Sequence, residues 1–162
     1  MWKRSFWLKK IADAWTRRPI LWLTGVRRAG KTVLAKSLSD IEYFDCELAR
    51  TRAFFEDIES SLVELNGKRV VLDEVHKLAD PSSLLKIAHD HFPGMKVLAT
   101  GSSTLGASTR FRDTLTGRKE ELWLTPMNYQ DILDFKMPNL GRRLLYGGLP
   151  PFFLAQERPE HE

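Results

Sequence analysis

Cysteine is almost missing from this chain: Cys46 is the single thiol in 162 residues. One thiol makes neither an internal disulfide nor a cysteine zinc cage, so a reducing cytoplasm is the expected compartment. Long apolar runs are missing too. The longest are far too short to cross a bilayer, which predicts no membrane insertion. Met1-Trp2-Lys3-Arg4 opens on basic residues, yet Lys9 and Lys10 interrupt the apolar stretch that a secretory leader needs next. There is no internal repeat and no low-complexity linker. Acid is scarce at one end only. Residues 1–36 hold ten Lys or Arg against Asp13 alone, a net +9, while residues 37–162 hold fifteen bases and twenty acids, a net −5. Such a concentrated positive field attracts anions: nucleotide phosphates, nucleic acid or a membrane surface.

What is present fits one folded domain. Hydrophobic residues make up 43% and charged residues 28%, which excludes global disorder. Residues 3–16 have the spacing of an amphipathic helix, with Trp7, Leu8, Ile11 and Trp15 on one face. Pro19 ends it. A two-sided apolar strand is expected at 20–24, a helix at 30–38, a strand at 42–47 and one helix at 50–65. Asn66-Gly67 marks a turn. Strands follow at 69–74, 95–100 and 120–124, with a helix at 81–92 whose first turn holds Pro81. Strands alternating with helices predict an α/β fold with a parallel sheet covered on both faces.

The sequence GVRRAGKT, residues 25–32, fits G-x-x-x-x-G-K-[ST], the phosphate-binding loop. Gly25 and Gly30 allow backbone angles and a close approach that side chains block. The amides of the loop and of the following helix start then turn toward a phosphate. The candidate nucleotide-binding residues are Gly25, Arg27, Arg28, Ala29, Gly30, Lys31, Thr32 and Val33. Lys31 offers a cation for the β- and γ-phosphates, and the Thr32 hydroxyl is a hard oxygen ligand for Mg²⁺. The side chains of Arg27 and Arg28 are expected to point out of the loop. The competing reading is an ordinary glycine turn before a helix. The strand before the motif and the helix after it argue against that reading.

Val70-Val71-Leu72-Asp73-Glu74 is an apolar strand that ends in two acids. Such a strand has no reason to end in adjacent carboxylates unless they meet water, a cation or a partner. Asp73 is the candidate Mg²⁺ acid, acting through water. Glu74 is the candidate base for the attacking water. Motifs that would mark a guanine-nucleotide switch or a transporter ATPase do not occur. The class that remains hydrolyses ATP and inserts a strand between the loop strand and the acidic strand, and residues 95–100 supply it. That strand runs into Gly101-Ser102-Ser103. Ser102 is preferred for sensing the γ-phosphate, with Thr100 second, and the competing reading of Ser102 is a helix N-cap.

Taken together, GVRRAGKT, VVLDEVHK, LATGSS and LTGRKEELWLTPMNYQDI resemble the bacterial and archaeal AAA-type P-loop ATPases often fused to a C-terminal domain of unknown function. The resemblance runs from about residue 19 to residue 132. It implies a three-layer sandwich around a mostly parallel five-stranded sheet in the order 5-1-4-3-2, with ATP or ADP and Mg²⁺ as cofactors. Residues 1–18 would be an N-terminal helix, 19–136 the ATPase core, and 137–162 the start of a C-terminal region that the sequence does not complete. Gly117-Arg118 meets a family pattern. Arg118 is therefore a candidate catalytic arginine with Lys31, Glu74 and Ser102, reaching a γ-phosphate, more readily a neighbouring subunit's than its own. Its competing reading is a salt bridge to Glu120 or Glu121. A homo-oligomer and a protein or nucleic-acid client are the further partners implied. A nucleotide-dependent switch with negligible turnover is the alternative to an active ATPase.

Other features read plainly. The N-terminal cations and tryptophans could stack on bases, but packing of the helix on the core is favoured. His76 is expected to position the acidic loop through a hydrogen bond. His89-Asp90-His91 reads as a solvated helix end, and Cys46 as a small buried apolar residue.

Overall fold

The computed structural model describes residues 3–101, 114–137 and 139–155. Five parallel strands form one sheet in the order β2-β3-β4-β1-β5. They are β1 (Ile20–Gly25), β2 (Glu42–Asp45), β3 (Arg69–Asp73), β4 (Lys96–Thr100) and β5 (Lys119–Leu124). This is the expected order read from the other edge. The interior strand β1 is buried at all six positions because β4 and β5 flank it and helices cover both of its faces. Its two-sided apolar sequence follows from that position.

The period of two along each strand sorts the side chains into two cores. Leu21, Leu23, Val71 and Leu98 face α1 (Ser5–Arg17) and α2 (Lys31–Lys36), and pack with Trp7, Ile11, Trp15 and Leu34. Ile20, Trp22, Val70, Leu72, Val97 and Ala99 face the other way, toward α3 (Ala49–Phe54), α4 (Ile58–Glu64) and α5 (Pro81–His91). The result is a three-layer sandwich. After β5 come α6 (Tyr129–Asp134), α7 (Leu140–Tyr146) and α8 (Pro150–Phe153). Met127, Ile132, Phe135 and Phe153 make a small third core there.

Several expectations need adjustment. The single helix at 50–65 is two helices. Asp57 breaks it by capping α4, its carboxylate accepting from the Ser60 amide at 3.1 Å. The helix after the loop is six residues long, from Lys31 to Lys36, rather than nine. Individual amides at its start therefore matter more than a helix macrodipole. The N-terminal helix is part of the sandwich: Trp7 is 2% exposed and Trp15 7%. Rings buried on the sheet cannot stack on bases, and burial of each such side chain contributes about 1.5–3 kcal/mol to folding. No helix among the described residues is long and apolar enough to cross a membrane.

Candidate functional site

The loop after β1 is shaped by two glycines. At Gly25, φ is +143°, and a Cβ there would collide with the carbonyl oxygen of Leu124 on β5. The chain turns back through a bond from the Ala29 amide to the Val26 carbonyl at 3.2 Å. Arg28 takes a left-handed conformation at φ +66°, and Gly30, at φ +93°, caps α2. Left-handed residues in such a turn bring successive amides to one side. The first amides of α2, at Lys31, Thr32 and Val33, have no acceptor within the helix. Lys31 Nζ lies back on the loop, donating to the carbonyls of Gly25 at 3.2 Å and Val26 at 3.4 Å. These long bonds hold the ammonium at the loop mouth.

Two strands away, Asp73 closes β3. It is 3% exposed, yet both of its carboxylate oxygens are engaged. One accepts from the Thr100 hydroxyl at the end of β4, the other from the Tyr43 hydroxyl on β2 at 2.6 Å. Burial, and then the bond to Asp73, push the Tyr43 hydroxyl above its ordinary value, so it remains a proton donor at neutral pH. Thr100 also accepts from the Glu74 amide at 3.1 Å. With its hydroxyl turned to both acids, Thr100 positions them and has no proton left for a phosphate. Glu74 departs from the strand in a left-handed conformation, φ +54°, a geometry that costs on the order of 1–3 kcal/mol for a non-glycine residue. This twist swings its side chain away from Asp73 and into the cleft. His76, on the 3₁₀ turn Val75–Lys77, brings Nδ1 to 3.2 Å from the Glu74 carboxylate, out of line for a hydrogen bond. Gly101 follows β4 with the Trp22 indole against it, where a Cβ would clash.

A cleft of about 610 Å³ collects these groups. Arg27, Arg28, Lys31, Thr32 and Glu74 line one side of it, and Phe135, Pro150, Pro151 and Leu154 the other. Arg27 and Arg28 are both exposed, and the Arg28 guanidinium sits 5.6 Å from the centre of the Phe152 ring. The hard oxygens of Thr32 and Asp73 fit Mg²⁺ better than a softer metal. Ser102 lies outside the described residues. Arg118 is not brought to the site. It precedes β5, at the end of the sheet opposite Gly25, and forks onto Asp90 of α5 at 3.0 and 3.2 Å. Glu120 and Glu121, its expected partners, pair with Arg17 and Lys119 instead. Among the described residues no three His, Cys, Asp or Glu side chains gather as a metal site. Cys46 is fully buried, and its thiol is pushed up to about 12 by that burial.

Sequence reasoning missed Arg4. Its guanidinium is buried and donates to the Ala29 carbonyl of the loop at 3.0 Å, to the Thr125 carbonyl at 3.1 Å and to Asp131 of α6 at 2.5 Å. A signal was there: positions 4, 7, 11 and 15 share one helix face, so Arg4 stands on the face that Trp7, Ile11 and Trp15 bury. The far wall of the cleft was missed as well, although the run Leu149-Pro150-Pro151-Phe152-Phe153 is visibly apolar.

Comparison with known proteins identifies the fold and the family. An uncharacterized protein of Mycobacterium tuberculosis is 28% identical over 156 residues, covering 93% of this chain. The chain spans only 34% of that relative's length. Among solved structures, the Walker-type ATPase of Pyrococcus abyssi superimposes with a TM-score of 0.66 at 17% identity, over 94% of this chain and 65% of that one. A signal transduction ATPase with a tetratricopeptide repeat sensor from Pyrococcus horikoshii gives 0.61 at 18% identity, over 98% of this chain and 30% of that one. These two likenesses show the fold. A family model described as an AAA domain matches residues 17–133, most of the chain. On that match and on the P-loop sandwich, the chain belongs to the AAA domain family of nucleotide-binding P-loop ATPases.

Proposed function

We propose that this chain binds ATP with Mg²⁺ in the cleft at the carboxyl ends of β1 and β3, and hydrolyses it. The observation that supports this most is that Glu74, Lys31 and Thr32 line one cavity, with the buried Asp73 next to Glu74 in the chain. The loop amides and Lys31 bind phosphate, Lys31 exchanging its two long carbonyl bonds for phosphate oxygens. Arg27 and Arg28 add positive charge at the cleft wall. Thr32 and Asp73 hold Mg²⁺, which when bound neutralises charge on the β- and γ-phosphates. The two hydroxyl protons on Asp73 occupy two of about four acceptor sites on a carboxylate, which leaves room for a metal-bound water. Glu74 accepts the proton of the attacking water, a role that contributes on the order of 10²–10⁴-fold. The apolar wall from Phe135 to Leu154 covers the nucleotide and keeps bulk water from the reacting phosphate.

A second reading, a nucleotide switch with negligible turnover, draws support from His76. Its ring stands 3.2 Å from the Glu74 carboxylate, and a protonated His76 would hold that carboxylate away from water. Release of inorganic phosphate from ATP by the purified chain decides between them. Turnover that requires Mg²⁺ supports hydrolysis. Tight nucleotide binding without phosphate release supports the switch.

A further inference from the structure

Tyr43 lies outside every motif of the site, yet its hydroxyl bonds directly to the proposed metal acid. The register of the sheet explains how. Tyr43 pairs with Val71, and Asp45 with Asp73, so Tyr43 sits one same-face step below the strand end. Val71 and Asp73 share the face of the sheet that α2 covers, since side chains repeat every two residues. Tyr43 packs on that same face, and its hydroxyl extends up to the Asp73 carboxylate at 2.6 Å. Above its ring lies the Lys36 ammonium of α2, 4.9 Å from the ring centre. Thr32 is four residues earlier on α2, one turn toward the loop and on the same side of the helix. A line therefore runs from Lys36 through the Tyr43 ring to Asp73, and Thr32 stands at its upper end.

The carboxylate is held by two hydroxyls from two neighbouring strands, Thr100 on β4 and Tyr43 on β2. Thr100 has a second task, since the Glu74 amide donates to it. Among the described residues the Tyr43 hydroxyl has no other hydrogen-bond partner. Without its hydroxyl, one oxygen of a carboxylate that is 3% exposed would lose its fixed donor and the group would be free to rotate. Groups that orient a metal ligand from behind carry much of a site's affinity: their loss typically weakens metal binding by about 10–100-fold.

We propose that Tyr43 is a positioning residue for the metal: its hydroxyl holds Asp73 in the orientation that receives Mg²⁺ and so sets how strongly metal and nucleotide bind together. This rests on the nucleotide reading above. It assigns Tyr43 no contact with nucleotide, and it distinguishes Tyr43 from a residue that only ties β2 to β3.

The test is the factor by which Mg²⁺ strengthens binding of a fluorescent mant-ATP, measured in excess EDTA and in excess Mg²⁺. Wild type is compared with Tyr43→Phe, which keeps the ring under Lys36 and removes only the hydroxyl. The factor should fall by about tenfold or more, while affinity in EDTA stays within about twofold of wild type. An unchanged factor overturns the proposal, and so does a larger one, which would mean that the hydroxyl competes with the metal. Equal losses in EDTA and in Mg²⁺ also overturn it, since they assign Tyr43 to the fold alone. Failure of wild type to bind mant-ATP at all is a different result: it removes the nucleotide reading on which the proposal rests.

Discussion

The two ends of the sheet use the same residue types in opposite ways. At the amino ends of the strands, cations and carboxylates pair with each other in solvent: Arg17 with Glu120, Lys68 with Glu42, Arg118 with Asp90 and Lys119 with Glu121. At the carboxyl ends Arg4 and Asp131 pair out of solvent, while among the described residues the cleft groups Lys31, Asp73 and Glu74 form no pair between a Lys or Arg and a carboxylate. Lys31 lies on backbone carbonyls, Asp73 accepts from two hydroxyls, and Glu74 stands in a strained conformation facing a cleft. Exposed pairs contribute little, typically about 0–1 kcal/mol each. Buried carboxylates without a cation are expensive unless hydrogen-bonded. The chain thus satisfies its charges at one end and leaves them available at the other. Availability, more than the presence of charge, distinguishes the candidate site from the rest of a strongly charged surface.

Glu74→Gln strikes the available end hardest. Gln keeps the size of the side chain and cannot accept a proton. Turnover measured by phosphate release should drop by about 10²–10⁴-fold, with mant-ATP affinity nearly unchanged. Retained turnover would remove Glu74 as the base and leave the two ends of the sheet equivalent in chemistry.

Much of this contrast was legible beforehand. The loop and the acidic strand end follow from glycine placement, strand–helix alternation and the apolar run that ends in Asp73-Glu74, all of which are local patterns, whereas the order of the sheet was implied by the family resemblance. The salt-bridge partner of Arg118 was not legible because a residue before a strand gives no hint of what it will meet: Asp90 is 28 residues away on another helix. The one long helix at 50–65 was wrong for a smaller reason. Asp57 looked like one more polar residue on an amphipathic face, and its competing bond to the Ser60 amide was not weighed. Tyr43 and Arg4 could not be assigned roles from sequence, because each acts through contacts that only the folded sheet creates.

Arg4 tests whether the available end depends on buried pairing elsewhere. The Arg4–Asp131 pair is 2.5 Å long, with side chains 6% and 0% exposed, and it fastens the loop through the Ala29 carbonyl. Arg4 Nε and one Asp131 oxygen have no hydrogen-bond partner among the described residues. The pair is thus costly to bury and costlier to break. Arg4→Met leaves the buried Asp131 carboxylate without its cation, held among the described residues only by the Asn128 amide, and should destabilise the fold by about 3–5 kcal/mol in denaturant unfolding. A variant as stable as wild type would show that the pair is dispensable. Lys31→Ala acts on the loop more locally. It removes two N–H donors of a charged ammonium, each worth about 1.5–3 kcal/mol when bound to phosphate, so mant-ATP affinity should fall by about two to four orders of magnitude at unchanged stability. Unchanged affinity would take the phosphate-binding reading down with it.

The smallest effect is expected from Arg118→Ala, at the paired end. Six strand residues, roughly 20 Å, separate Arg118 from the Gly25 end of the sheet, so it does not reach this chain's own cleft. Its bonds to Asp90, with a lesser one from His89, hold the Asp90 carboxyl down at about 2. A carboxylate with a depressed value in the fold adds stability above its unfolded value of about 3.9 and loses that stability as pH falls through its folded value. The gap in melting temperature between wild type and Arg118→Ala should therefore be present at pH 7, shrink below about pH 4 and close near pH 2. At pH 7 it should be a few degrees at most, roughly, since the pair is solvent-exposed. Turnover should stay unchanged. If instead wild-type specific activity rises with protein concentration and Arg118→Ala abolishes that rise, Arg118 acts on a neighbouring subunit's phosphate, and the paired end of one chain completes the available end of the next.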